Sequence, residues 1–205
     1  MKNIAAQNQS KVFSTNTMVK ISVLSVLSFI LMLFELVIPI FPGFLKMDLS
    51  DVPALLGSFA LGPVAGVVIE LLKNILYIVI RGTQTGGVGE LSNFLVGAIF
   101  VFTAGAIYQL KKDKKHALIG MIVATIGMAI AGILTNYYLI IPFYTKIMPL
   151  DAIIEMGSAA NSAIVDFKTL IIYGITPFNL LKGAVISVVV STIYKKVSPI
   201  LHGHN

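Results

Sequence analysis

The chain has 205 residues, of which 57% are apolar and only 12% charged, and its mean hydropathy is +0.92. A water-soluble domain of this size does not carry that composition, so the chain reads as a membrane protein. The net charge of +6 does not signal nucleic-acid binding, because the lysines gather at the ends of apolar segments, where they meet anionic lipid.

Residues 1–17 are polar, with Lys2 and Lys11, and no short apolar stretch ends in a small-residue cleavage site. A removable signal peptide is therefore not expected, and the first span should stay as an anchor. That span is expected over 18–40, interrupted only by Glu35. The next apolar block is broken at Leu61-Gly62-Pro63, a helix stop followed by a proline suited to a new first turn, which predicts helices at 47–61 and 63–80. The first of these is short, since 15 residues rise only about 22 Å. Gly82 to Gly89 reads as a flexible outer loop that could form part of a gate; no strand precedes it, so it is not a dinucleotide motif. Helix 90–110 leads to the densest basic loop, Lys111-Lys112-Asp113-Lys114-Lys115, and helix 116–144 follows. A final helix over 172–195 closes at Lys195-Lys196, with 197–205 as a second tail.

Lysine and arginine collect on the cytoplasmic side of short loops. Placing both termini and the basic loop in the cytoplasm puts nine lysines there (2, 11, 20, 111, 112, 114, 115, 195, 196), against Lys46, Arg81, Lys146 and Lys168 outside. The expected fold class is all-α: a polytopic, multi-pass bundle of six transmembrane helices over 18–196, forming one integral membrane domain in a prokaryotic cell membrane. Tyr77, Tyr108, Tyr144, Tyr173 and Tyr194 fall near the expected span ends, as an interfacial aromatic belt would.

A charge at bilayer depth costs several kcal/mol and rarely persists without a task or partner, so the polar interruptions of the spans are candidate site residues. From the outer helix ends, Glu35 lies about 8 Å down, Lys73 about 10 Å, Asn136 about 9 Å, Asn179 about 10 Å and Lys182 about 14 Å. Asn179 and Lys182 share a helix face. One polar layer drawn from several helices suits a pocket open to the outside. Structural roles are open for each residue: Lys73 can pair with Glu70, Asn136 can bond a neighbouring helix, and Glu35 can pair with Lys182. Amides read the donor and acceptor edges of a heterocycle, while Lys and Glu bond hydroxyls, so the set suits an uncharged polar solute better than a metal ion.

No metal site is expected, because His116 sits in the basic loop and His202 and His204 in the tail. The chain contains no cysteine, hence no disulfide framework. It lacks G-x-x-x-x-G-K-[ST], H-E-x-x-H and G-x-S-x-G, and no nucleophile and base share a depth. No catalytic residues and no cofactor are expected; the protein does not read as an enzyme.

Phe41-Pro-Gly-Phe-Leu-Lys-Met-Asp-Leu-Ser-Asp-Val-Pro-Ala-Leu resembles the substrate-binding S components of energy-coupling factor (ECF) transporters, and within them the riboflavin-specific RibU family. Leu72-Lys73-Asn74, Gly89-Glu90-Leu91-Ser92-Asn93-Phe94, Thr135-Asn136-Tyr137-Tyr138, Ile141-Pro142-Phe143-Tyr144 and Pro177-Phe178-Asn179-Leu180-Leu181-Lys182-Gly183 carry the resemblance further, from Lys20 to Lys196. It implies a six-helix capture subunit that binds riboflavin near the outer face and joins a transmembrane coupling protein and two cytosolic ATPases. By position, Glu35, Lys73, Asn136, Asn179 and Lys182 would contact the vitamin, with Phe44, Leu45, Lys46 and Asp48 lining the site. The resemblance further suggests that the asparagines address the isoalloxazine edge and the charged groups the ribityl hydroxyls and ring heteroatoms. Members often carry Ala-x-x-x-Ala on the first helix as a docking face; here Ser22, Ser25 and Ser28 form a small-residue stripe that would permit close approach, or serve packing within the bundle. An S component for thiamine or a folate, and a secondary transporter coupled to protons through Glu35 or Glu70, are the alternative readings.

Overall fold

The computed structural model describes residues 14–83 and 85–202, with side chains through Tyr194. Residues 1–13, with Lys2 and Lys11, and 203–205, with His204, lie outside the described residues, as do Gln84 and the side chains of Lys195, Lys196 and His202.

Helix α1 spans Thr15–Met32, opened by Ser14, whose hydroxyl accepts from the Thr17 amide. It ends eight residues before the expected position 40, because Pro39 and Pro42 cannot continue a helix and the chain reverses instead. A two-rung antiparallel hairpin follows, β1 (Leu36–Val37) against β2 (Lys46–Met47). Glu35 thus sits just past the first span, at the foot of the hairpin, and not within a helix.

Helix α2 (Asp51–Leu61) is buried on every side from Asp51 to Phe59, so it runs through the middle of the bundle. Its 11 residues rise about 16 Å, too little to cross the hydrocarbon alone. The expected break stands at Gly62, whose φ of 106° is a conformation that glycine adopts without strain, and Pro63 opens α3 (Pro63–Arg81).

Helix α4 spans Val88–Leu110 and begins after Gly87, which is left-handed at φ 87°. Asp113 caps α5, its carboxylate accepting from the His116 amide at 2.8 Å. Helix α5 runs Lys114–Tyr144 and contains a π-helical stretch at Asn136–Ile140. The region expected as a plain outer loop holds α6 (Leu150–Ala160). Asp166 and Thr169 form a reciprocal cap at the start of α7, which opens as Phe167–Thr169, passes through a second π stretch at Leu170–Ile175 and continues as Thr176–His202. The last helix therefore starts five residues before the expected position 172, where this cap satisfies its first amides.

Among the described residues, five segments are long and apolar enough to cross a membrane: Thr15–Met32, Pro63–Arg81, Val88–Leu110, Lys114–Tyr144 and Phe167–Tyr194. Their outward faces carry large exposed apolar side chains such as Val23, Leu27, Phe102, Ile122, Ile126 and Val188, as lipid contact requires. Inside, Leu55, Phe59, Ile69, Phe100, Tyr108, Met128 and Ile186 belong to one core cluster, and a second, of Ile141, Ile153, Ile164, Leu170 and Ile175, packs against Phe44 and Tyr144.

This packing decides one reading left open and corrects one expectation. Ser25 and Ser28 are buried in the bundle and only Ser22 is exposed, so the stripe is not one docking face; Ser25 donates to the Ile21 carbonyl of its own helix. Tyr108 and Tyr194 are not interfacial: their hydroxyls meet at 2.9 Å inside the core, beside Phe59.

Candidate functional site

Where the C-terminal ends of α1 and α3 meet the start of α4, the second half of α5 and the first turns of α7, the helices splay and leave a cavity of about 410 Å³. That volume falls within the range for small-molecule pockets. The hairpin and α6 form the rest of its wall through Phe44, Leu45, Lys46, Ile153 and Met156. The basic loop at Lys111–Lys115 lies at the far end of α4, some 30 Å or more away by helical rise.

Glu35, Phe44, Leu45, Lys46, Asp48, Asn136, Asn179 and Lys182 all line this cavity. Lys73 does not. Its ammonium is fully buried: it donates to Ser50 Oγ at 2.8 Å and to Asp51 Oδ1, and lies within ion-pair distance of Glu70 Oε2, at 2.7 Å. With no exposed surface and no place on the cavity wall, that ammonium has no face open to a solute. The expected contact from Lys73 is thus replaced by a place behind the cavity wall; helical rise gave its depth, but its rotation points it at α2.

The two asparagines are held alike. Asn136 Nδ2 donates to the Gly132 carbonyl and Asn179 Nδ2 to the Ile175 carbonyl, each four residues back at 2.8 Å. Each anchor leaves the amide oxygen and a second N–H for a guest. Gly132 is what lets the two helices bring these amides together, since a Cβ there would lie 2.5 Å from Asn179 Nδ2. The π stretch at Asn136–Ile140 turns α5 so that Asn136, Ile140, Ile141 and Tyr144 all face the cavity.

The charged groups come in matched sets. Glu35 Oε1 accepts from Lys46 Nζ and, at 3.0 Å, from the Tyr77 hydroxyl, so the Glu35–Lys182 pair that the sequence left open does not form. Lys182 Nζ instead donates to Asp48 Oδ2 at 3.0 Å and lies 3.6 Å from Asp51 Oδ2. Glu90, in the first turn of α4, accepts from Thr83 and Thr85 at 3.0 and 3.1 Å, which ties down the glycine-rich loop. Carboxylates at 35, 48 and 90 thus face the cavity together with cations at 46, 81 and 182. Balanced charge of this kind suits an uncharged guest with many hydrogen-bonding groups, and Met32, Val96, Met128, Ile140 and Phe178 supply apolar contact.

Sequence reasoning missed Tyr77, Thr85, Glu90 and Asn93 as lining residues and Asp51 as the partner of Lys73. Tyr77 follows Lys73 by four positions and Glu70 by seven, which put it on the same helix face. Asp51 carried no comparable signal, because its partner is 22 residues away on another helix. Among the described residues, no group of three or more histidine or acidic side chains is arranged to hold a metal ion.

Residues 16–194 match the family described as ECF transporter, substrate-specific component. The riboflavin transporter RibU of Staphylococcus aureus (strain TCH60) is 40% identical over 185 residues, 90% of this chain and 91% of the relative. The riboflavin transporter FmnP of Bacillus subtilis (strain 168) is 36% identical, over 89% of this chain and 92% of the relative. A solved structure of the S component of a bacterial ECF transporter superposes with a TM-score of 0.72 at 37% identity, over 90% of this chain and 96% of that one. With the fold, the cavity and these matches in agreement, the chain belongs to the substrate-specific components of ECF transporters.

Proposed function

We propose that this chain captures riboflavin in the cavity beneath the hairpin and passes it inward as the substrate-binding subunit of an ECF transporter. The observation that carries this reading is the charge-balanced cavity, with its paired amides and apolar walls, in a chain 40% identical to a riboflavin transporter. Glu35, Phe44, Leu45, Lys46, Asp48, Asn136, Asn179 and Lys182 make the contacts; Asn136 and Asn179 read the edge of the isoalloxazine ring, and Glu35 and Lys182 bond the ribityl hydroxyls.

The five long spans and α2 act as a six-helix, multi-pass unit in the prokaryotic cell membrane, a single domain with both termini and the Lys111–Lys115 loop in the cytoplasm and the cavity towards the outside. A transmembrane coupling protein and two cytosolic ATPases supply the energy, since the chain carries no phosphate-binding loop. It acts as a binding subunit and not as an enzyme.

Riboflavin fluorescence is titrated against protein purified from flavin-free cells, with thiamine and folate as competitors. Saturation at one flavin per chain, undisturbed by either competitor, is expected. Displacement by thiamine or folate would reassign the vitamin, and flavin uptake by the reconstituted chain alone, driven by a pH gradient, would replace ATP coupling with proton coupling.

A further inference from the structure

Directly behind the cavity wall lies a group of charges that no guest can touch. Asp51, Glu70 and Lys73 are 1% exposed or less. Lys73 joins α3 to the first turn of α2 through Ser50 and Asp51, and Asp51 faces both ammonium groups, Lys73 through Oδ1 and Lys182 through Oδ2 at 3.6 Å. Asp48 closes the circuit, accepting from Lys182 through Oδ2 at 3.0 Å and from the Ser50 amide through Oδ1 at 2.7 Å. The chain of contacts therefore runs from Lys73, which is sealed off, to Lys182 and Asp48, which line the cavity.

Such a network is a poor way to stabilise a bundle, because taking several charges out of water costs at least as much as their mutual attraction returns, and apolar side chains of like volume pack as well or better. Its value lies in direction. Lys182 donates one N–H to Asp48 and is held by charge 3.6 Å from Asp51, which leaves donor capacity for the cavity that it lines. Lys182 ends a long, flexible stem, so without that pair it could hold several orientations, and ordering it would have to be met when the guest binds. The backbone has been shaped around the cluster as well: a Cβ on Gly97 would lie 2.6 Å from Glu70 Oε2, so α4 approaches that carboxyl more closely than any side chain permits.

We infer that Lys73 and Asp51 are positioning residues for the vitamin site, acting through Lys182 and Asp48, which they hold with one ammonium N–H aimed into the cavity. This rests on the riboflavin reading above and deepens it.

The test is a double-mutant cycle read by riboflavin affinity in detergent-purified protein, with thermal midpoint and monodispersity measured alongside. Lys73→Met and Lys182→Met are each expected to weaken binding about tenfold or more, and the double variant to be no more than about threefold weaker than Lys182→Met alone. Ser58→Ala serves as the structural control: Ser58 is buried in the same helix as Asp51 and donates to the Val101 carbonyl at 2.6 Å, but does not line the cavity. It should lower the midpoint and leave affinity unchanged. If Lys73→Met is not monodisperse, the near-isosteric Asp51→Asn and its combination with Lys182→Met are read by the same criteria. The inference is overturned if the Lys73 or Asp51 variant binds riboflavin like the parent, if the losses in the double variant multiply, or if Ser58→Ala weakens binding as much. A parent protein that binds no riboflavin would instead sink the proposed function and leave the cycle without meaning.

Discussion

Gly132→Ala reaches the candidate site without replacing any side chain that faces the guest. The added Cβ would stand 2.5 Å from Asn179 Nδ2 and 3.1 Å from its Cγ. Ordinary contacts between such atoms are about 3.5 Å or more, so the amide must retreat by roughly 1 Å. That movement breaks the 2.8 Å bond from Nδ2 to the Ile175 carbonyl and takes the amide out of the orientation in which it meets the guest. One or two hydrogen bonds at about 1 kcal/mol each amount to roughly a 5- to 30-fold loss of affinity. Stability should move much less, because alanine in a helix gains about 1 kcal/mol over glycine and the displaced side chain can swing into the cavity. The thermal midpoint should therefore stay within about 4 °C of the parent. Riboflavin fluorescence titration and a thermal melt, run on the same sample, separate the two effects. A folded Gly132→Ala protein that binds riboflavin within about twofold of the parent would refute the role given to the Asn179 amide.

Asn136→Ala should weaken riboflavin binding about fivefold or more, one hydrogen bond's worth at least, checked by the same titration. Tyr108→Phe removes a buried hydroxyl pair far from the cavity, so it should lower the thermal midpoint by about 1 kcal/mol's equivalent and leave affinity unchanged, a split that a melt and a titration both report. Asp113 is held below the usual carboxylate range, first by the backbone amide of His116 and then by its ring. A carboxylate depressed in the folded state contributes stability above its unfolded pKa and loses it as the pH falls, so Asp113→Asn should be less stable than the parent at neutral pH, and the two melting curves should converge as the pH falls through and below the ordinary carboxylate range.

What the sequence disclosed about the site was depth, and what it withheld was rotation. A polar residue in an apolar run advertises itself, and the rise per residue places it along the helix, which is why Asn136, Asn179 and Lys182 were legible as one layer; Glu35 lines the same cavity from beyond the end of α1, where helical rise does not apply. Whether a side chain turns to the cavity or to a neighbouring helix depends on tertiary packing, which is what decides between the two readings that the sequence leaves open at Lys73, Ser25 and Ser28. The hairpin escaped because strands of two residues show no alternation, although Pro39 and Pro42 marked the place where α1 had to end. Helix α6 was hidden by Asp151 and Glu155, which make its segment look like a loop; its signal was Pro149 with Ile153 and Gly157 four apart on the buried face. Tyr108 and Tyr194 fell at span ends as belt tyrosines do, yet the chain brings them together across 86 residues, a pairing that local pattern cannot announce.

The two wide turns of α5 and α7 have a consequence for how such a binding site changes over time. Each fits an additional residue into one turn, so everything beyond it is swung by about 100° relative to a regular helix. Loss of a single codon within 137–140 would restore regular winding and sweep Ile141 and Tyr144 off the wall without severing the segment. Gene-level gain or loss of one amino acid at these two places is thus a route to a new ligand preference, alongside point substitution, and the same places are natural splice points for engineering one.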